Sequence, residues 1–249
     1  MKTGTLVLIA LAAALPQSVD AQHTHGGHAA QPQQADSTGM VGAADAVMSA
    51  PMSDAARAHM RLSPTRKGTA QDSARALELA RQLRSSLAKY ADTAAAVADG
   101  YRMFMPNLKT QRVFHFTNYR HAFMEAFRFD PEKPTSILYE RAPDGTLKIV
   151  GAMYTAPKRV DAGKLDERIP LSIARWHQHV NWCIPKRGEE KRWLERFEGL
   201  PLFGPESPVD TRQECDRVGG RFIPTAFGWM IHANVFAGDD LATIYGHGH

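Results

Sequence analysis

Hydrophobic residues first recur at helical spacing between residues 79 and 90. They are Leu79, Leu83, Leu87 and Tyr90. Side chains at this spacing share one face of an α-helix. Thr69 followed by Asp72 is typical of a capping box, so the pattern predicts a helix over residues 69–90. A second, short helix is predicted over 92–99, because Asp92 can cap its first turn.

From about residue 101 the pattern changes towards the alternation that is typical of β-strands. Residues 135–141 and 146–155 are rich in β-branched and aromatic side chains, and the turn sequence Ala-Pro-Asp-Gly between them predicts a hairpin. The other expected elements are a helical turn over 121–128, helices over 186–198 and 211–218, and a last strand over 228–236. Together they predict an α+β fold, with N-terminal helices packed on a mostly antiparallel β-sheet or partial barrel.

Three of the predicted short strands carry histidine close to an asparagine. They are Val113-Phe-His-Phe-Thr-Asn118, Arg175-Trp-His-Gln-His-Val-Asn181 and Trp229-Met-Ile-His-Ala-Asn234. Alternate side chains of a strand point to the same face, so the middle segment should place its polar residues together. We expect His177, His179 and Asn181 on one face. The opposite face should hold Trp176, Val180 and Trp182.

The strand histidines suggest a metal site. Neutral imidazole binds Zn, Cu, Fe and Ni, and two imidazoles on one face of a strand are spaced as such a site requires. The predicted ligands are His115, His177, His179 and His232. Since the motifs contain no obvious carboxylate ligand, the nitrogen set favours Cu or Zn. The residues predicted to orient the rings from behind are Asn118, Asn181 and Asn234.

The same residues are open to other interpretations. A non-enzymatic module of the cell envelope would hold a small organic ligand between the histidines and three tryptophans, Trp176, Trp182 and Trp229. In a purely structural protein the four histidines would be scattered. The motifs also do not separate a binding site from a metalloenzyme that activates water or dioxygen. The sequence contains no nucleophile elbow, HExxH motif, P-loop or dinucleotide fingerprint to favour another class of enzyme.

The N-terminal region predicts export. Residues 1–21 have a basic start at Lys2, an apolar stretch and a small-residue cleavage pattern, which together are typical of a signal peptide. The apolar stretch is shorter than the roughly 20 residues that span a bilayer, so we expect a periplasmic or secreted protein with no membrane span. The composition of residues 22–66 predicts a disordered tail or linker, and residues 67–249 predict a single globular domain.

Charge and the terminal histidines add little to this picture. The net charge of +4 is mildly basic and no Lys/Arg run follows a helix face, so a nucleic-acid partner is not expected. A second set of histidines lies near the chain ends: His23, His25, His28, His247 and His249. Such tracts either collect divalent metal loosely or serve as linkers.

Cys183 and Cys215 are the only cysteines. In an oxidising compartment an even pair predicts a disulfide, which in the chain-entropy model stabilises the fold by roughly 3–4 kcal/mol. The alternative is that Cys183 is a thiolate ligand near His177 and His179. With Met230, this would form a ligand set of the blue-copper kind.

Several motifs resemble those of an uncharacterised group of secreted bacterial proteins. They are Ala98-Asp-Gly-Tyr101, His115-Phe-Thr-Asn118, Phe129-Asp-Pro-Glu-Lys-Pro134, Leu138-Tyr-Glu140, and the segments 147–157, 174–183 and 227–232. The resemblance covers most of the predicted domain and implies that the histidine segments belong to one folded unit. The group has no established activity, so the resemblance implies no catalytic residues.

Overall fold

The computed structural model describes residues 57–104, 106 and 113–246. The predicted signal peptide, residues 22–56 of the predicted tail and the histidines at 247 and 249 lie outside the described residues. Within the part that is described, no helix is both long and apolar enough to cross a membrane.

The described chain forms strands and helices that alternate along much of its length. The strands are β1 (Met60–Leu62), β2 (Arg102–Met103), β3 (Val113–Thr117), β4 (Ser136–Arg141), β5 (Leu147–Ala156), β6 (His177–Ile184), β7 (Arg196–Phe197), β8 (Leu200–Pro201), β9 (Arg221–Thr225) and β10 (Trp229–Ala233). The α-helices are α1 (Ala70–Leu87), α2 (Thr93–Ala98), α3 (Tyr119–Glu125), α4 (Ala162–Arg168), α5 (Arg212–Arg217) and α6 (Leu241–Tyr245).

Eight of these strands form one sheet. Seven follow the order β1-β6-β10-β5-β4-β3-β2, and β9 pairs with the distal half of β6. All the described pairings are antiparallel, and the described sheet does not close into a barrel. The predicted α+β fold is therefore confirmed, with an open sheet.

Helices α1, α2, α4 and α6 contribute buried residues to one face of this sheet. Thr69 and Asp72 form the predicted capping box at the start of α1, and α1 buries its apolar stripe against the sheet. Leu83 and Leu87 lie in the same cluster as Phe114, Ile137, Tyr139, Tyr154 and Ile231 of the central strands. Burial of each such side chain contributes about 1.5–3 kcal/mol, so this face is the main core. Because side chains alternate, the residues between those strand positions point to the other face of the sheet.

The ordered domain begins earlier than the sequence predicted. Strand β1 falls inside the stretch 22–66, and Met60 at its start is buried. Three residues carry too short a pattern to identify a strand, and β1 is held by its pairing with β6, from Met60 opposite His179 to Leu62 opposite His177. The predicted tail boundary at residue 66 is therefore wrong.

The predicted helix over 186–198 is also wrong. The structure has a 3₁₀ turn at Glu190–Leu194, followed by the β7–β8 hairpin. Glu198 and Gly199 both have positive φ, as the two-residue turn of such a hairpin requires, and this ends any helix. The other predicted elements are found, with shifts of a few residues at their ends.

Candidate functional site

The four predicted histidines form one continuous line of rings. The ring centroids of His115 and His232 are 5.7 Å apart, those of His232 and His177 are 5.4 Å apart, and those of His177 and His179 are 5.5 Å apart. Three separate strands contribute to this line: β3, β10 and β6. The structure therefore brings together all four residues that the sequence singled out, and a scattered arrangement is wrong.

Curvature of the sheet allows His115 to meet His232. Strands β3 and β10 are three steps apart in the sheet, which would separate them by about 14 Å if the sheet were flat. The register of β4 against β5 shifts between Leu138 and Tyr139, an irregularity of the kind that bends a strand. Gly151, opposite Leu138, lets the backbone of β10 approach β5 closely, because a Cβ at this position would lie 2.1 Å from the carbonyl oxygen of Ala233. The face that carries the histidines is thus the inner face of a curled sheet.

Apolar side chains surround the histidines on this inner face. Val113, Leu138, Met153 and Met230 form a small buried cluster, separate from the main core, with Val150 packed against it. We call the four histidines and these five residues the histidine face. The face has an apolar floor, and its polar groups are concentrated in the imidazole rings.

Burial sets the protonation state of His115. Its side chain is almost fully buried, and loss of solvent lowers its pKa to about 4, opposed by a hydrogen bond to the backbone of Val113. The ring is therefore neutral near pH 7, and neutral imidazole is the form that binds metal. His177 and His179 are buried as well, and His232 is half-buried. The Nε2 atoms of His115, His177 and His232 and Nδ1 of His179 are shielded from solvent.

The ring nitrogens do not converge on one point as the side chains stand. Among the residues that the structure describes, no group of three or more His, Cys, Asp or Glu side chains is arranged to hold a metal ion. Each ring contacts its neighbour in the line, mostly edge to face. The arrangement is thus a set of adjacent imidazoles that would need side-chain rotation to share an ion.

A break in β6 changes one predicted face. Asn181 has a φ of 58°, which interrupts the alternation of side chains along the strand. As a result, Trp182 lies beside His179, with ring centroids 5.2 Å apart, although alternation predicted it on the opposite side. Phe227 completes a group of three rings, at 5.7 Å from Trp182 and 6.0 Å from His179.

Two of the three asparagines have roles other than the predicted one. The side-chain oxygen of Asn118 accepts hydrogen bonds from the backbone N–H groups of Arg120 and His121, which caps α3. The side-chain amide of Asn181 donates to the carbonyl oxygen of Ala58. Both side chains thus bind backbone groups, and that these two also orient the histidine rings stays a prediction. For Asn234 it also stays a prediction.

The predicted disulfide between Cys183 and Cys215 is confirmed. It lies in a separate buried cluster with Phe203 and Val209, next to the contact between α5 and β9. Both sulfur atoms are used in this bond, so Cys183 is not available as a thiolate ligand and the blue-copper alternative is wrong.

The tryptophans do not form the pocket that the alternative interpretation needs. Trp176 and Trp229 lie in the main core, on the helix side of the sheet. Trp182 is beside His179 of the line. A ligand bound among the histidines would therefore meet Trp182 and Phe227 at one end of the line, and the apolar cluster along the rest.

Sequence reasoning did not place three further buried groups. His59, inside the predicted tail, contacts the carbonyl oxygen of Ser207 through Nε2 at 2.7 Å. Met60 faces His179 across the β1–β6 pairing. The carboxylate of Glu125 accepts hydrogen bonds from both hydroxyls of Thr135 and Thr155 and from the Thr155 N–H. None of the three has a local sequence signal, because each depends on pairing between distant segments.

The chain matches no protein-family model, no curated protein and no solved structure. The resemblance of its motifs to a group of secreted bacterial proteins therefore stays a prediction.

Proposed function

We propose that this protein binds a divalent transition metal on the histidine face, with ligands drawn from His115, His177, His179 and His232. The observation that supports this most directly is the unbroken line of four imidazoles contributed by three strands. The four residues span more than a hundred positions of the sequence, so an arrangement of this kind is not expected by chance.

The spacing of the rings supports metal binding. With a metal–nitrogen bond of about 2.0–2.1 Å, two imidazoles bound to one tetrahedral ion have centroids about 5 Å apart. The three observed centroid distances, 5.4, 5.5 and 5.7 Å, are slightly longer than this. Rotation of the side chains can move the rings by more than the difference. His177 and His232 hold the middle of the line, so we assign them to the ion in any arrangement. His115 or His179 supplies the third ligand.

The surroundings suit an ion bound by neutral ligands. Burial keeps His115 uncharged near pH 7, so an entering cation displaces no ring proton from it. Three histidines leave a fourth tetrahedral position open for water or for a substrate.

The proposal includes export from the cytoplasm. The Cys183–Cys215 disulfide supports an oxidising compartment, where such bonds form and persist. Periplasmic or secreted location agrees with the signal-peptide pattern of residues 1–21. Copper or zinc is then the ion that a nitrogen-rich set would take up.

A calorimetric titration tests the proposal. Protein stripped of metal, with the five terminal histidines replaced by asparagine, is titrated with Zn(II) and with Cu(II). We expect one tight site, weakened by at least about 100-fold in His177→Ala or His232→Ala. The matched control is His121→Ala. His121 lies on α3, outside the line of histidines, and its ring contacts Tyr101 and the carbonyl oxygen of Pro134. Unchanged affinity in both middle variants, or no tight site at all, contradicts the proposal.

A second candidate is a binding module for a small aromatic ligand. The observation in its favour is the group of rings formed by His179, Trp182 and Phe227, of which Phe227 is 36% exposed. Under this interpretation the unaltered protein has no tight metal site, and Trp182→Ala abolishes binding of the aromatic ligand. Retention of a tight metal site that depends on His177 and His232 decides against it.

A further inference from the structure

Methionines lie directly across the strand pairings from three of the four histidines. Met60 is opposite His179, Met230 is opposite His177, and Met153 is opposite His232. Directly opposed residues of an antiparallel pair point to the same face, with Cβ atoms about 4.5–5.5 Å apart. Each of these histidines therefore has a thioether beside it on the inner face of the sheet.

The placement of the methionines is selective. The described residues contain two others: Met103 is partly buried against the main core, and Met124 is half-exposed on α3. Neither has a histidine of the line as its strand partner. The three that face histidines are all buried, each with 8% or less of its surface exposed.

Thioether sulfur changes which metal the site prefers. Soft sulfur ligands select Cu(I), whereas carboxylate and water favour harder ions, and imidazole is accepted by copper in both oxidation states. The disulfide uses both cysteine sulfurs, so methionine is the soft donor available on this face. The buried, apolar surroundings also favour the ion of lower charge, because burial of charge is costly.

We propose that the histidine face is a mixed histidine and methionine site selective for Cu(I), in which Met60, Met153 and Met230 supply thioether ligands beside His179, His232 and His177. This inference rests on the proposed metal site and assigns it copper in the monovalent Cu(I) state in place of a divalent ion. The ordinary role of buried methionine is to fill irregular gaps in a core. The two roles differ in one testable respect: leucine fills the same volume but does not bind copper.

The test is competition for Cu(I) under anaerobic conditions against the chromophoric chelator bicinchoninate. It uses the full chain and the triple variant Met60→Leu/Met153→Leu/Met230→Leu. We expect Cu(I) affinity to fall by about tenfold or more in the triple variant, while Zn(II) affinity measured in parallel changes little. Met124→Leu is the matched control and should bind Cu(I) as the unaltered protein does. Equal Cu(I) affinity in the triple variant and the unaltered protein overturns the inference.

A second measurement does not depend on the folding of any variant. X-ray absorption at the copper edge of the Cu(I)-loaded protein should show sulfur as well as nitrogen neighbours of copper. A shell of nitrogen alone overturns the inference, yet leaves the proposed function standing if His177 and His232 are still required. Absence of any tight metal site, with Cu(I), Cu(II) or Zn(II), overturns both.

Discussion

The buried carboxyl of Glu125 should make the stability of the protein fall as the pH rises from about 4.5 to about 7. Glu125 is 2% exposed, and burial raises its pKa from the ordinary value of 4.5 to about 7, against the opposing effect of hydrogen bonds from Thr135 and Thr155. Its Oε1 is buried without a hydrogen-bond partner among the described residues. Arg168 is the nearby charged group, but its guanidinium donates to the carbonyl oxygens of Thr155 and Glu125 rather than to the carboxylate.

The sign and size follow from linkage. Between the two pKa values the folded state binds the proton of Glu125 and the unfolded state does not. The contribution of Glu125 to the free energy of unfolding is therefore fully present below about pH 4.5 and is lost as the pH rises through about 7. A difference of about 2.5 pKa units corresponds to about 3 kcal/mol. The variant Glu125→Gln imitates the protonated side chain and should lack this dependence.

The assay is urea denaturation of both proteins at several pH values between about 4 and 8. The free energy of unfolding of the unaltered protein, relative to Glu125→Gln, should decline by about 3 kcal/mol across this range. Subtracting the variant removes the contribution of all other titrating groups. Two curves that run parallel over the whole range would refute the reasoning, because they would mean that the carboxyl titrates alike in both states.

Two further predictions concern the scaffold. Replacing Cys183 and Cys215 by serine opens a loop with a sequence separation of 32 and should lower the free energy of unfolding by about 4 kcal/mol in the chain-entropy model, measured by denaturation; a loss near zero contradicts it. Gly151→Ala places a Cβ 2.1 Å from the carbonyl oxygen of Ala233, so β5 and β10 must separate and the free energy of unfolding should fall by about 3 kcal/mol or more. Gly68→Ala is the control and should be close to neutral, because its nearest contact would be at 3.4 Å. Equal effects of the two variants would contradict the close approach of the two strands.

Local patterns were sufficient to predict several parts of the molecule. The capping box at Thr69 and the hairpin around Pro143 depend on residues that are close together in the sequence. The disulfide could be predicted because the chain has only two cysteines. The shared face of His177 and His179 follows from the two-residue period of a strand in the same way.

Features that depend on strand order could not be predicted. The contact between His115 and His232 requires β3 and β10 to approach through the curl of a sheet whose order the sequence does not state. Strand β1 exists because β6 offers it a partner. The positive φ of Asn181 turns Trp182 to the histidine side, and nothing in the alternation of apolar residues marks that break.

The methionine pairs show the same limit more sharply. Met230 is near His232 in sequence, but its partner across the sheet is His177. Met60 and Met153 lie far from any of the four histidines in sequence and reach them through register alone. The methionines and histidines of this face are thus brought together by pairing between distant segments of the chain.

Elemental analysis of the purified protein tests the central claim most directly. The protein is prepared without an affinity tag and with the five terminal histidines replaced by asparagine, and its copper and zinc contents are measured by mass spectrometry. Deleting residues up to 66 would not serve, because β1 would be lost with the tail. We predict near-stoichiometric metal in this protein and in His121→Ala, and its loss in His177→Ala/His232→Ala. Failure to retain copper or zinc, even after reconstitution, or equal metal content in all three proteins, would contradict the account.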